Sequence, residues 1–251
     1  MSRWSVRFTA VAVMLVANGA TRADAITLPA TRDNTLFETT SGTTSNGAGT
    51  AMFAGRNSQA VDSRRRAVLM FDVASGVPAG ATIDAVSLTL TNSAANSTLE
   101  TVEMHRLLAS WGEGTSVAAS GGGSGAPASA GDATWLHRFF NGTSWTQPGG
   151  DFASTASATA GVAGPGAYDW TSTPALVSDV QSFLESPAGN FGWILIGNEA
   201  AASTAKRFST REDPLITARP ALRIDFTPIP EPTSGLYLAA ALLAGGLPRR
   251  K

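Results

Sequence analysis

Cysteine is absent from the 251-residue chain. That excludes disulfide staples, thiol chemistry and cysteine-based metal sites, so only packing and hydrogen bonds hold the fold. Histidine is nearly absent: His105 and His137 are the only two. A histidine-rich metal site is therefore excluded, and a Ser-His-Asp triad would have to use one of these two. No apolar run approaches the roughly 20 residues that a spanning helix needs. Catalytic signatures are missing as well, with no Gly-x-Ser-x-Gly elbow, His-Glu-x-x-His pair, phosphate loop or EF-hand loop. Charged residues are sparse, at 15%.

What is present begins with the two ends. Met1-Ser-Arg-Trp-Ser-Val-Arg7 sets Arg3 and Arg7 ahead of an apolar stretch from Phe8 to about Ala17, and Ala23-Asp24-Ala25 carries small residues at alternate positions. Charge, a short apolar run and Ala-x-Ala make the order of a secretory signal peptide over residues 1–25, cut after Ala25, with Ala23 and Ala25 suiting a signal peptidase pocket. At the other end Pro230-Glu231-Pro232 precedes an apolar run from Leu236 to Leu247 and the basic Arg249-Arg250-Lys251. Residues 230–251 resemble the PEP-CTERM sorting signal. The resemblance implies transient association with the inner membrane, then cutting near Pro-Glu-Pro by an exosortase-type enzyme and delivery to the cell surface or beyond it. The basic end should stay cytoplasmic. A plain C-terminal anchor is the alternative, and it would not require Pro-Glu-Pro.

Residues 26–229 lie between the two signals, a length that suits one domain with a sizeable core. Six of the 18 basic residues and two of the 19 acidic ones belong to the signals, leaving 12 against 17 and a net charge of about −5. Such a domain has no general attraction for nucleic acid. Its apolar runs have strand length and are separated by Gly, Pro and Asn clusters, which points to an all-β sandwich or jelly roll. Strands are expected at Thr35–Glu38, Thr50–Ala54, Arg66–Val73, Ile83–Asn92, Thr101–Leu108, Thr134–Phe140, Ala167–Thr171, Phe191–Gly197, Lys206–Thr210 and Ala221–Thr227. Val86, Leu88 and Leu90 alternate with Ser87, Thr89 and Thr91, as in a strand with one face in the core. Ala67–Phe71 and Trp193–Ile196 are apolar on both faces and should be central. One amphipathic helix is expected where Thr173 can cap, Pro174 fits the first turn, and Leu176, Val177, Val180, Phe183 and Leu184 recur at helical spacing. Thr39–Thr50 and Ser116–Gly131 are Ser- and Gly-rich and read as loosely ordered loops.

Taken in order, Arg65–Val73, Val77–Ile83, Ala85–Leu90, Trp111-Gly-Glu-Gly114, Gly131–Arg138, Thr173–Leu184, Asn190–Gly197, Lys206–Glu212 and Arg219–Asp225 resemble a DNRLRE domain. The resemblance implies a β-sandwich of jelly-roll type, similar to modules that bind carbohydrate, including acidic polysaccharide.

Candidate ligand-binding residues follow from the chemistry of such ligands. Indole faces pack against sugar C–H groups. Trp145, in Asn141–Pro148, is the tryptophan expected to be exposed, and Trp135 stands near His137 in a strand-like run. Strand alternation puts Arg207 and Arg211 on one face, where two guanidinium forks could meet carboxylate or sulfate groups, and Lys206 on the other. The alternative is that these arginines pair with neighbouring acids. Arg64-Arg65-Arg66 reads as the solvated start of a strand. No cofactor is expected. Calcium would need clustered oxygens, and Asp33-Asn34, Asp62 and Asp213 form no recognisable loop. The expected function is a non-catalytic, exported carbohydrate-binding or structural protein of the surface or exopolysaccharide matrix. The alternative, a polysaccharide-active hydrolase or lyase, would draw on Glu103, Glu113, Glu199 and Glu212.

Overall fold

A computed structural model describes residues 22–94 and 96–229. Most of the signal peptide, and the tail with Pro230, Glu231, Pro232, Arg249, Arg250 and Lys251, lie outside the described residues. In chain order the elements are β1 (Asp24–Pro29), β2 (Arg32–Phe37), β3 (Thr44–Ser45), β4 (Ala51–Arg56), β5 (Arg64–Met70), the short helix α1 (Val73–Gly76), β6 (Thr82–Asn92) and β7 (Glu100–Arg106). They continue with β8 (Ala126–Pro127), β9 (His137–Phe139), β10 (Thr143–Ser144), β11 (Ala158–Val162), β12 (Gly166–Trp170), α2 (Pro174–Glu185), β13 (Trp193–Ile196), β14 (Lys206–Ser209) and β15 (Ala221–Thr227).

The protein is mostly β. Eleven strands form one sheet along the path β1-β15-β6-β14-β4-β5-β13-β7-β11, with β12 added at β6 and β2 at β5. The strand pairings are antiparallel. One large hydrophobic core takes Val86, Leu88, Leu90, Leu222 and Ile224 from one arm of this path and Ala67, Leu69, Val102, Met104, Trp193 and Leu195 from the other. The sheet therefore doubles back on itself in a sandwich-like arrangement. The turning point is β4, which pairs with β14 through Ala51–Ala54 and with β5 through Gly55 and Arg56. Gly55 sits at φ 119°, and a Cβ there would come within 2.9 Å of the Ala205 Cα, so the corner needs glycine.

Helix α2 forms as its sequence dictates. The Thr173 hydroxyl accepts the Leu176 N–H, Pro174 occupies the first turn, and Leu176, Val180, Phe183 and Leu184 are buried in the core. Phe183 packs edge-on against Trp193 with ring centroids 5.1 Å apart.

Alternation along β5 and β13 explains why both read as apolar on both faces. Ala67, Leu69, Trp193 and Leu195 enter the large core. Val68 and Ile194 point the other way, into a second core with Leu36, Leu107, Trp111, Ala133, Trp135 and Trp145. Residues between β7 and β11 thus cover the outer face of this arm. Two expectations are corrected here, and one strand is new. Of Thr134–Phe140, only His137–Phe139 is strand. The segments expected to be loosely ordered join in a two-stranded ladder, Thr44 opposite Pro127 and Ser45 opposite Ala126. Strand β1 was not foreseen: its Asp24 and Ala25 stand opposite Phe226 and Asp225, so a cut after Ala25 would leave Ile26–Pro29 paired with β15.

Candidate functional site

The covering segment is fixed by its tryptophans. The Trp111 indole N–H donates to the Phe191 carbonyl and the Trp145 indole N–H to the Thr134 carbonyl, both at 2.9 Å. Trp145 is only 5% exposed. The expectation that it stands free on a loop is therefore corrected, because its indole fills the gap between the covering segment and the sheet. Trp135 is buried beside it. His137 is half-buried, its ring Nδ1 3.2 Å from the Thr134 hydroxyl and its ring edge-on to Phe140.

Of the expected solvated run, Arg64 keeps substantial exposure, while Arg65 and Arg66 are shielded. Arg66 forks Glu199 at 2.7 and 2.8 Å, donates to the Gly149 carbonyl at 2.9 Å, and lies 4.9 Å from the Trp135 ring centroid. Arg64 also stacks on Trp135, at 5.2 Å, and binds Glu38. Arg65 is buried against Phe37.

Beside Arg66 an open groove of about 590 Å³ is lined by Leu108, Ala109, Thr146, Gln147, Pro148, Gly150, Asp151 and Phe152. The lining combines apolar surface (Leu108, Ala109, Phe152) with hydrogen-bonding groups (Thr146, Gln147). Asp151 is the single carboxylate of this lining, and its two oxygens accept the Thr146 and Gln147 N–H groups at 2.9 Å. Sequence reasoning missed the groove. Its residues come from three stretches, Arg66, Leu108–Ala109 and Thr146–Phe152, and Leu108 is exposed in it.

The expected basic face is not formed as a pair. β14 ends at Ser209, so Arg211 lies past the alternation that was to align it with Arg207. Arg207 donates to the Gly121 carbonyl and the Ser93 hydroxyl. Arg211 forks Glu113 at 2.6 and 2.7 Å and meets Glu212 at 2.9 Å. Lys206 is fully buried, its ammonium donating to the carbonyls of Asn96, Thr98 and Ala163. Burial pulls its pKa below the ordinary lysine range, an effect the charge of Glu100 only partly offsets.

Arg211 leads to a cluster of carboxylates. Asp33 on β2, Glu113 after β7 and Glu212 after β14 each place an oxygen within 4.8 Å of the others. Gly114 lets the chain turn there: its φ is 79°, and a Cβ would collide with Asp132 Oδ1, which accepts the Thr115 N–H. Glu113 Oε1 accepts the Asp33 N–H at the edge of the sheet, and Asp33 Oδ2 accepts the Arg211 N–H. Burial pushes the Asp33 carboxyl well above the ordinary range, the Arg211 N–H opposes it, and the charges of Glu212 and Glu113 reinforce it. Glu212 is raised by burial, opposed by Arg211 and reinforced by Glu113. Carboxylates this close suit acid–base chemistry in principle, but Asp33 has no exposed surface with which to touch a glycosidic oxygen.

A scan of the chain against protein-family models gives no match, and a comparison with curated proteins gives none either.

Proposed function

We propose that the chain is an exported, non-catalytic carbohydrate-binding module: a DNRLRE-type jelly roll brought to the cell surface or the exopolysaccharide by an N-terminal signal peptide and a PEP-CTERM tail. The groove beside Arg66 is the observation that carries this reading. Sugar rings offer C–H faces and hydroxyl edges together, and Leu108, Ala109 and Phe152 answer the first while Thr146 and Gln147 answer the second. The doubled-back antiparallel sheet supports the jelly-roll assignment. The single, internally bonded carboxylate of the groove favours binding over hydrolysis, which needs two carboxyl groups flanking the scissile bond. Binding is assigned to the groove rather than to Arg207, Arg211, Lys206, Trp145, His137 and Trp135, whose polar groups are engaged within the domain or whose rings are buried.

A glycan array probed with the purified chain, and affinity electrophoresis in acidic and neutral polysaccharides, test the reading. Retention by a polysaccharide, reduced at least tenfold by Leu108→Ala with Gln147→Ala, two side chains exposed in the groove, at unchanged melting temperature, supports it. Failure to retain any glycan, or release of new reducing ends, overturns it. Export is tested separately: mass spectrometry of the surface or released protein in the native host should find a C-terminus near Pro230–Pro232 and no peptide from Leu236 onward. Retention of Arg249-Arg250-Lys251 would make the tail an anchor.

A further inference from the structure

We infer that Asp33, Glu113 and Glu212 form a binding site for a hard divalent cation, calcium foremost. The inference starts from an imbalance. Three carboxylates converge within 4.8 Å, and among the described residues a single guanidinium, Arg211, compensates them, forking Glu113 and meeting one oxygen of Glu212. A second observation points to a ligand. Asp33 has no exposed surface, and although its Oδ2 is satisfied by the Arg211 N–H, its Oδ1 has no hydrogen-bond donor among the described residues. Glu212 Oε2 is likewise buried and without a donor among them. Buried carboxylate oxygens ordinarily find donors, because leaving one desolvated and unpaired is costly. Two such oxygens in one three-carboxylate cluster make a place where positive charge is missing.

The donor set names the class of ion. All three groups are carboxylates, with no nitrogen or sulfur, which selects the calcium, magnesium and manganese class over zinc or copper. Oxygens within 4.8 Å of one another can share a centre at about the 2.3–2.6 Å of calcium–oxygen bonds. Magnesium demands a stricter octahedron and keeps more of its water, so calcium fits better a site whose ligands come from three separate segments. Glu113 and Glu212 retain some exposure and provide the route in from solvent. A bound ion would tie β2, the covering segment and the turn after β14 together, a cross-link in a chain without cysteine. The inference does not depend on the groove or on any glycan.

The test uses the full-length chain, stripped with a chelator, and calcium chloride as the probe. Titration calorimetry should show one saturable calcium site, and the melting temperature should rise by roughly 5–10 °C once free calcium exceeds Kd about a hundredfold. Glu212→Gln should weaken calcium binding at least tenfold while leaving the melting temperature in chelator unchanged or higher, since it removes a repelling charge. Asp33→Asn should do the same and serves as the second variant. Absence of any calcium, magnesium or manganese heat with the wild-type chain, up to millimolar ion, overturns the site. So does calcium binding of equal strength in wild type and both variants. A cluster stabilised by a shared proton instead would show as a melting temperature that rises on acidification and does not respond to calcium, which also overturns it.

Discussion

Arg66 lies across Trp135, its guanidinium carbon 4.9 Å from the ring centroid, while its fork grips Glu199, 133 positions further along the chain. This contact joins the second core to the sheet and forms one wall of the groove. Both partners of the ion pair are largely shielded from solvent, so removing one leaves the other buried and uncompensated. Arg66→Ala should cost about 3 kcal/mol or more. Arg66→Lys should recover only part, because an ammonium cannot fork a carboxylate and stack on an indole together. Chemical denaturation of the two variants and of Arg66→Ala/Glu199→Ala checks this: the double variant should lose clearly less than the sum of the single losses.

Trp145 separates a structural from a surface role in one substitution. Its buried indole packs with Trp111, Trp135 and Ile194 and donates to the Thr134 carbonyl. Trp145→Ala should cost about 3–5 kcal/mol, and Trp145→Phe about 1–3 kcal/mol, the latter reflecting the unpaired carbonyl. Near-wild-type stability of Trp145→Ala would contradict its place in the second core.

Much of the sheet was legible because alternation survives in it. Val86, Leu88 and Leu90 are all buried, and the α2 cap forms from the residues that predicted it. The covering segment was not legible. Its Ser- and Gly-rich composition hides three tryptophans that form a core only once Val68 and Ile194 come up beneath them. β11, Ala-Thr-Ala-Gly-Val, has too little side chain to signal a strand and is specified by its pairing with β7. The carboxylate cluster was beyond reach, since Asp33 meets Glu113 across 80 positions and Arg211 across 178. Local alternation predicted an arginine face there, and the end of β14 at Ser209 undid it.

Arg207 and Arg211, paired in the sequence reading, should behave differently. Arg207 is held at the surface by Gly121 and Ser93, so Arg207→Ala should change stability by less than about 0.5 kcal/mol. Arg211 is the compensating charge of the Asp33–Glu113–Glu212 cluster. Arg211→Ala should therefore lower the melting temperature by several degrees, measured without added metal. Equal, small shifts for both variants would show that the cluster does not need its guanidinium.

Acid should weaken the contact between Glu38 and Arg64. Burial raises the Glu38 pKa, but the Arg64 hydrogen bonds and charge, with the Ser63 N–H, outweigh it, so the net shift is downward. A carboxyl depressed on folding contributes stability that is complete above its unfolded pKa, near 4.3, and is lost as pH falls through the lower folded value. Arg64 is 42% exposed, so solvent screens the pair and the effect should be modest. The melting-temperature difference between wild type and Glu38→Gln should stay constant from pH 7 to about 5 and shrink below that. A difference that does not change with pH would assign the contact to packing alone.

Lys206 provides the sharpest check on the strand that was expected to face a ligand. The chain has two lysines, Lys206 and Lys251, so amine labelling with peptide mapping reads Lys206 without interference. A lysine whose pKa is lowered holds more free amine than an ordinary one and would label faster if reagent could reach it. Access decides the outcome instead: the ammonium is fully buried beneath the carbonyls of Asn96, Thr98 and Ala163. Lys206 should therefore resist labelling in the native protein and react in urea, along the same transition that tryptophan fluorescence reports. Lys206→Met keeps the length of the side chain but leaves three carbonyls without their donor, at about 1–3 kcal/mol for each that water does not reach. The variant should lose several kcal/mol of stability. Rapid labelling of Lys206 at full native signal, or a stable Lys206→Met, would place the amine at the surface and return it to the set of groups open to a ligand.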